Sequence, residues 1–196
     1  MKTSMLDLRV STPPAWLEVV FGDFASFLLD HAACERKASA TGLSFVTRYP
    51  DRTQLLEPMI EFAKEELDHF HIVYREIARR GLRLTADHKD EYVGGLMKMQ
   101  TRDGADALFL DRLLVAGVVE ARGCERLKMV AEALPEDDPL GPVYLDLARA
   151  EARHHALFFR MARLFFPEER VSARAAHFLD GEAELIGHLP LRAAVH

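Results

Sequence analysis

Four glutamates stand on helix faces that are otherwise built for a hydrophobic interior, and no other feature constrains the chain as strongly. Glu120 shares its side with Leu113, Ala116, Cys124 and Leu127, while Glu151 and His154 share theirs with Leu147, Phe158 and Phe165. Earlier in the chain, Glu35 falls among Leu28, Ala32, Ala38 and Gly42, and Glu66 with His69 among Phe62, Ala63, Phe70, Val73 and Ile77. Burying such groups unpaired would cost on the order of several kcal/mol. A shared partner is implied.

The two halves agree in spacing. Glu35 to Glu66 is 31 residues, Glu120 to Glu151 is 31 residues, and each second Glu is followed three positions later by His. An antiparallel helix pair returns to its starting level after about thirteen residues out, a short loop and thirteen back, at about 1.5 Å per residue, so each pair of acids can face one another. Four Glu and two His converging inside a bundle is the ligand set of carboxylate-bridged di-iron or di-manganese helical proteins: two helices give one Glu each and two give Glu-x-x-His. With 17 Glu and 9 His in 196 residues, chance supplies roughly one Glu-x-x-His. The equal offsets and the apolar faces therefore carry the reading. Candidate metal ligands are Glu35, Glu66, His69, Glu120, Glu151 and His154; no catalytic side chain beyond them is indicated.

Composition sets the frame. A chain of 196 residues with 49% hydrophobic and 29% charged residues has ample material for one core and fits a single domain over 1–196. The net charge of −6 argues against nucleic-acid binding by bulk charge but leaves room for a local basic patch. Cys34 and Cys124 lie in helical patterns, which suits core residues in a reducing cytoplasm rather than a disulfide framework. No signal core or apolar run of about eighteen residues is present, so neither secretion nor membrane spanning is expected.

Taken in order, Ser11-Thr12-Pro13-Pro14 starts a short amphipathic piece over 15–21 in which Trp16 is core. The first long helix is predicted over 23–48. Asp51 is expected to cap the second, which runs to Arg80, stops at Gly81, and either kinks or starts late because of Pro58. A connection over 82–101 holds a short helix at 91–99. The third long helix is predicted over 103–134, the fourth from Asp138-Pro139 to Phe166, and a last amphipathic helix over 168–186. The fold class is therefore all-α, a four-helix bundle with additional short and C-terminal helices.

Neighbouring groups receive blander roles. Glu65, Asp68 and His71 read as solvated. Glu125 competes with Glu120 but has Arg122, Lys128 and Glu132 as helix neighbours, which favours Glu120 as ligand. His155 points about 100° from His154 and reads as a surface or supporting residue. His31 is a core histidine or lines the site; Asp30 and Asp146 are candidates to orient the ligand imidazoles.

The segments Asp30-His-Ala-Ala-Cys-Glu35-Arg-Lys-Ala-Ser, Glu65-Glu66-Leu-Asp-His69-Phe, Glu120-Ala-Arg-Gly-Cys-Glu125-Arg and Glu151-Ala-Arg-His154 resemble those of the bacterial tRNA 2-methylthio-N6-isopentenyladenosine hydroxylases, the MiaE family. The resemblance covers about residues 8–186; the tail over 188–196 has no obvious counterpart. It implies a ferritin-like fold and an O2-dependent di-iron monooxygenase that hydroxylates the isopentenyl tail of a modified adenosine in tRNA. It further implies the same six ligands, two iron ions with O2 as co-substrate, and an external two-electron donor, whether an electron-transfer protein or a reductase. The oxygen-rich ligand set suits iron, with manganese second, more than zinc. The alternative is a ferritin-like di-iron oxidase or a peroxide- or iron-handling protein without an RNA substrate. For tRNA, Arg48, Arg52, Lys98, Arg102, Arg160, Arg163 and Arg170 fall at helix ends that would gather at one pole if the 82–101 connection crosses the bundle.

Overall fold

The computed structural model describes residues 7–86 and 89–196, and every regular element among them is helical. In chain order these are α1 (Ala15–Gly22), α2 (Phe24–Arg48), α3 (Thr53–Arg79), α4 (Glu91–Lys98), α5 (Ala105–Ala133), α6 (Leu140–Phe165) and α7 (Glu168–His188). The chain is all-α and ferritin-like, with four long helices in two hairpins and additional short and C-terminal helices. Its described residues divide into two compact units, one of 18–86 with 192–195 and one of 7–17 with 89–191 and 196.

In the first unit α2 packs along α3. Asp23 caps α2, its carboxylate accepting from Ser26 N at 3.0 Å. The hairpin is drawn tight one to two turns beyond Glu35. Ser39 Oγ donates to Ala63 O at 2.7 Å, and a Cβ on Gly42 would meet Ala63 Cβ at 2.9 Å and Met59 O at 3.0 Å. The expected Asp51 cap is corrected: Arg52 occupies the N-cap of α3, without a side-chain cap bond. The turn is closed instead by backbone bonds from Arg52 N to Tyr49 O at 3.1 Å and from Leu55 N to Arg52 O at 2.8 Å. Pro58 lies inside α3, so no late start is needed. The helix ends as predicted at Gly81, whose φ of +70° allows Leu82 N to reach back to Ile77 O at 3.0 Å.

In the second unit α5 packs along α6, and α7 lies on α5, α6 and α4. α5 begins two residues later than predicted, after Gly104, and α7 runs two residues further than predicted, to His188. Because α5 is flanked by three helices, it is buried on nearly every side, from Phe109 to Val130. The Gly94-Gly95 pair that weakens α4 in isolation has a packing reason: a Cβ on Gly95 would fall 2.6 Å from Leu185 Cδ2 of α7. No helix among the described residues is long and apolar enough to cross a membrane.

Gly42→Ala tests the tight α2–α3 crossing. Helix propensity alone favours Ala by up to about 1 kcal/mol, but the new methyl meets a backbone carbonyl that cannot rotate away. A net loss of about 1–3 kcal/mol in urea unfolding is expected; unchanged stability would show that the hairpin can open at no cost.

Candidate metal centre

The α2–α3 hairpin brings three of the predicted ligands together. Glu35, Glu66 and His69 are 4%, 0% and 7% exposed, and each offers an atom within 4.8 Å of the others. His69 Nδ1 is 3.7 Å from Glu35 Oε2 and 3.7 Å from Glu66 Oε2. The 31-residue offset does this work: Glu35 and Glu66 sit at one level of the hairpin, and the 3.6-residue turn puts His69 beside Glu66. His31, one turn before Glu35, is 1% exposed, and its Nε2 lies 2.6 Å from Glu35 Oε1.

The α5–α6 hairpin repeats the arrangement. Glu120, Glu151 and His154 are all buried, with ligand atoms within 4.8 Å of one another, and His154 Nδ1 is 3.6 Å from Glu120 Oε2. Gly123 makes room for Glu151, since a Cβ there would sit 3.2 Å from Glu151 Oε2. Each hairpin thus offers two carboxylates and one imidazole, sheltered from water at a spacing that fits a divalent cation of the iron or manganese type. The donor chemistry fits the group.

Charge follows the geometry. Burial would raise the Glu35 carboxyl, but its hydrogen bond to His31, the nearby His69 imidazole and the charge of His31 hold it well below the usual carboxylate range. For His69, burial works against the charged form and is outweighed by Glu35 and Glu66, which raise the imidazole to about 10. Cys124 remains a core thiol, pushed up to about 11 by burial and by the nearby Glu151 charge.

The supporting residues are less faithful to the sequence reading. Glu125 points away from Glu120: it accepts from Thr12 N at 3.1 Å and Thr12 Oγ1 at 2.7 Å, and is paired with Arg122. Arg122, taken from sequence as marking a polar face, is 0% exposed. Its Nε and Nη2 grip Glu182 at 2.8 and 3.0 Å, its Nη2 reaches Val10 O at 3.0 Å, and Tyr92 Oη donates to Glu182 at 3.0 Å. The helix's own sequence, with Glu125, Arg126 and Lys128 close by, gives no sign of this; the burial comes from the helices packed on α5. His155 is buried, not at the surface, with Nδ1 donating to Gly117 O at 2.7 Å. Asp146 pairs with Arg149 at 2.8 Å on the exterior, and Asp30 accepts from Val195 N at 2.7 Å, so neither orients a ligand imidazole. Glu65 Oε1 stands 3.9 Å from His69 Nε2, whereas Asp68 and His71 are exposed.

The sequence model of the family described as tRNA-(MS[2]IO[6]A)-hydroxylase (MiaE) matches residues 2–196. The chain belongs to the MiaE family. A relative from Pseudomonas putida named tRNA 2-(methylsulfanyl)-N(6)-isopentenyladenosine(37) hydroxylase is 34% identical over 179 residues, covering 91% of this chain and 86% of its own. A Salmonella typhimurium protein of the same name is 28% identical, over 91% of this chain and 83% of its own. Among solved structures, one described as protein 43 with aldehyde deformylating oxygenase activity from Synechococcus superposes with a TM-score of 0.87 at 33% identity, covering 95% of this chain and 92% of its own. All six predicted ligands lie inside the span matched by the MiaE family.

Two expectations follow from the geometry. A metal ligand must be deprotonated, and metal-free His69, at about 10, carries its proton at neutral pH. Metal loading is therefore expected to release protons into a weakly buffered solution and to weaken as pH falls from 8 to 6, while raising the melting temperature above that of the chelated protein. A pH-independent affinity, or equal melting temperatures, would contradict the site. Separately, Arg122→Ala leaves Glu182 buried without its guanidinium and is expected to cost about 3–5 kcal/mol in denaturant unfolding, with much of the loss recovered when Glu182→Gln is added.

Proposed function

We propose that this member of the MiaE family is an O2-dependent di-iron monooxygenase that hydroxylates the isopentenyl group of 2-methylthio-N6-isopentenyladenosine in tRNA. The observation that carries the reading is the family match over 2–196 together with two hairpins that each present two Glu and one His in a buried cluster. On this reading residues 1–196 act as one domain, and Glu35, Glu66 and His69 with Glu120, Glu151 and His154 hold two iron ions.

No side-chain acid or base can remove hydrogen from an unactivated C–H bond, so bound iron supplies the oxidising power. In the balanced reaction, one atom of O2 enters the new C–OH bond and the other leaves as water, with two protons and two electrons from an external reductase or electron-transfer protein. The chain's own residues position and insulate. Phe27, Leu28, Phe62 and Val73 in one unit, and Leu113, Leu127, Leu147 and Phe158 in the other, are all at most 3% exposed and keep water from the ligand carboxylates. Exposed basic groups at helix ends, Arg48 and Arg163 among them, supply phosphate contacts for tRNA. A cytoplasmic location suits such a substrate.

The decisive assay incubates iron-loaded protein, a chemical reductant and O2 with tRNA bearing the modified adenosine, and examines the nucleosides by mass spectrometry. A gain of one oxygen on the isopentenyl group is expected. Glu→Ala at 35, 66, 120 or 151 is expected to cut iron content or activity by more than the about 10- to 100-fold typical of losing an outer-shell partner. Because of the Synechococcus neighbour's aldehyde activity, an aliphatic aldehyde belongs in the same assay. Turnover of the aldehyde with untouched tRNA would overturn the RNA reading, and O2 or peroxide consumption with neither substrate changed would indicate an iron-handling oxidase.

A further inference from the structure

His31 is a buried, chemically capable side chain that the six-ligand reading does not use. It is 1% exposed, its ring packs on Phe27 with centroids 5.9 Å apart, and its Nε2 lies 2.6 Å from Glu35 Oε1. A carboxylate only accepts, so the Nε2–H donates. The two oxygens of Glu35 therefore differ: Oε1 is engaged by His31, while Oε2 faces the ligand cluster, 3.7 Å from His69 Nδ1.

The other hairpin is built differently at this place. The residue one turn before Glu120 is Ala116, whose methyl group has no proton to donate to a carboxylate. The repeat in which Glu35 matches Glu120 and Glu66 matches Glu151 is thus broken at the position of His31. A carboxylate oxygen that already accepts a strong hydrogen bond is the weaker metal donor of its pair, so Glu35 would favour binding through Oε2 alone, which would leave a position on that ion for another ligand.

We propose that His31 is a positioning residue that restricts Glu35 to a single metal-binding oxygen, Oε2, so that the two metal ions are inequivalent and the ion of the Glu35–Glu66–His69 cluster is the one that takes a small exogenous ligand. The assignment rests on the di-iron reading above. His31 acts through Glu35 and is not itself a ligand.

The test uses the full chain loaded with 57Fe, with azide as the probe. Wild-type protein is expected to hold two irons per chain, to show two distinct Mössbauer quadrupole doublets of equal area, and to bind one azide. His31→Phe keeps a ring against Phe27 but removes the donor; it is expected to retain two irons, shift one doublet only, and weaken azide binding at least tenfold. His31→Gln restores an N–H donor at the same helical spacing and is expected to return azide affinity to within about threefold of wild type. The contrast between Phe and Gln separates hydrogen bonding from packing, and His31→Ala serves as the non-donor if the Phe variant does not fold. Unchanged doublets and azide affinity in the non-donor variants would overturn the assignment, as would a Gln variant no better than Phe. Loss of one iron in the non-donor variants would make His31 a ligand, which also overturns it. A wild-type chain holding no iron would sink the di-iron reading itself, a result distinct from any of these.

Discussion

Carboxylates packed inside helical hairpins are the constraint from which the rest of this structure follows. Glu66 is wholly inaccessible to solvent and Glu35 and Glu120 nearly so, and like charges held this close repel unless protons, hydrogen bonds or a cation intervene. Each hairpin answers with one histidine three residues after its second glutamate, and the first hairpin adds His31. In the metal-free first hairpin, His69, raised to about 10 by Glu35 and Glu66, carries a proton that offsets part of this charge. On the di-iron reading, a cation bound by these residues would take over that task and would couple proton release, metal uptake and stability in each hairpin.

Periodicity made the six cluster residues legible. Side chains at i and i+3 share a helix face whatever surrounds the helix, and the two 31-residue offsets are properties of a hairpin rather than of a tertiary arrangement. The long helices were legible for the same reason, and their ends came within a residue or two because Asp23, Gly81 and Pro167 act locally. Asp51 misled because the Tyr49–Leu55 turn is closed by backbone groups, and the chain had no need of its carboxylate.

The misreadings in the second unit share one cause. A stripe of about 100° is what a helix buries against a single neighbour, but among the described residues of its own unit α5 meets three helices and α6 meets two. His155, expected as a surface or supporting residue, is drawn in where Gly117 leaves its carbonyl accessible: a Cβ at 117 would lie 2.8 Å from the Phe159 ring. Arg122 and Asp111 are buried by the same crowding, and each carries a full set of charged or backbone partners from α7 or a preceding loop. Which charges end up inside therefore depends on how many helices surround a segment, and a single sequence window does not hold that information.

The polar knot around Arg122 also sets an order of events in folding. Its partners come from Val10 and Thr12, from Glu125 on its own helix, and from Glu182 on the last helix, 112, 110, 3 and 60 residues away respectively. Contacts of such separation close only after the intervening chain has collapsed, and they slow folding in proportion to how non-local they are. Residues 10–12, the earliest of these to leave the ribosome, must therefore wait for α5, more than 100 residues downstream, before they can dock. Their protection from hydrogen exchange therefore reports the arrival of α5 rather than of the helices that precede it.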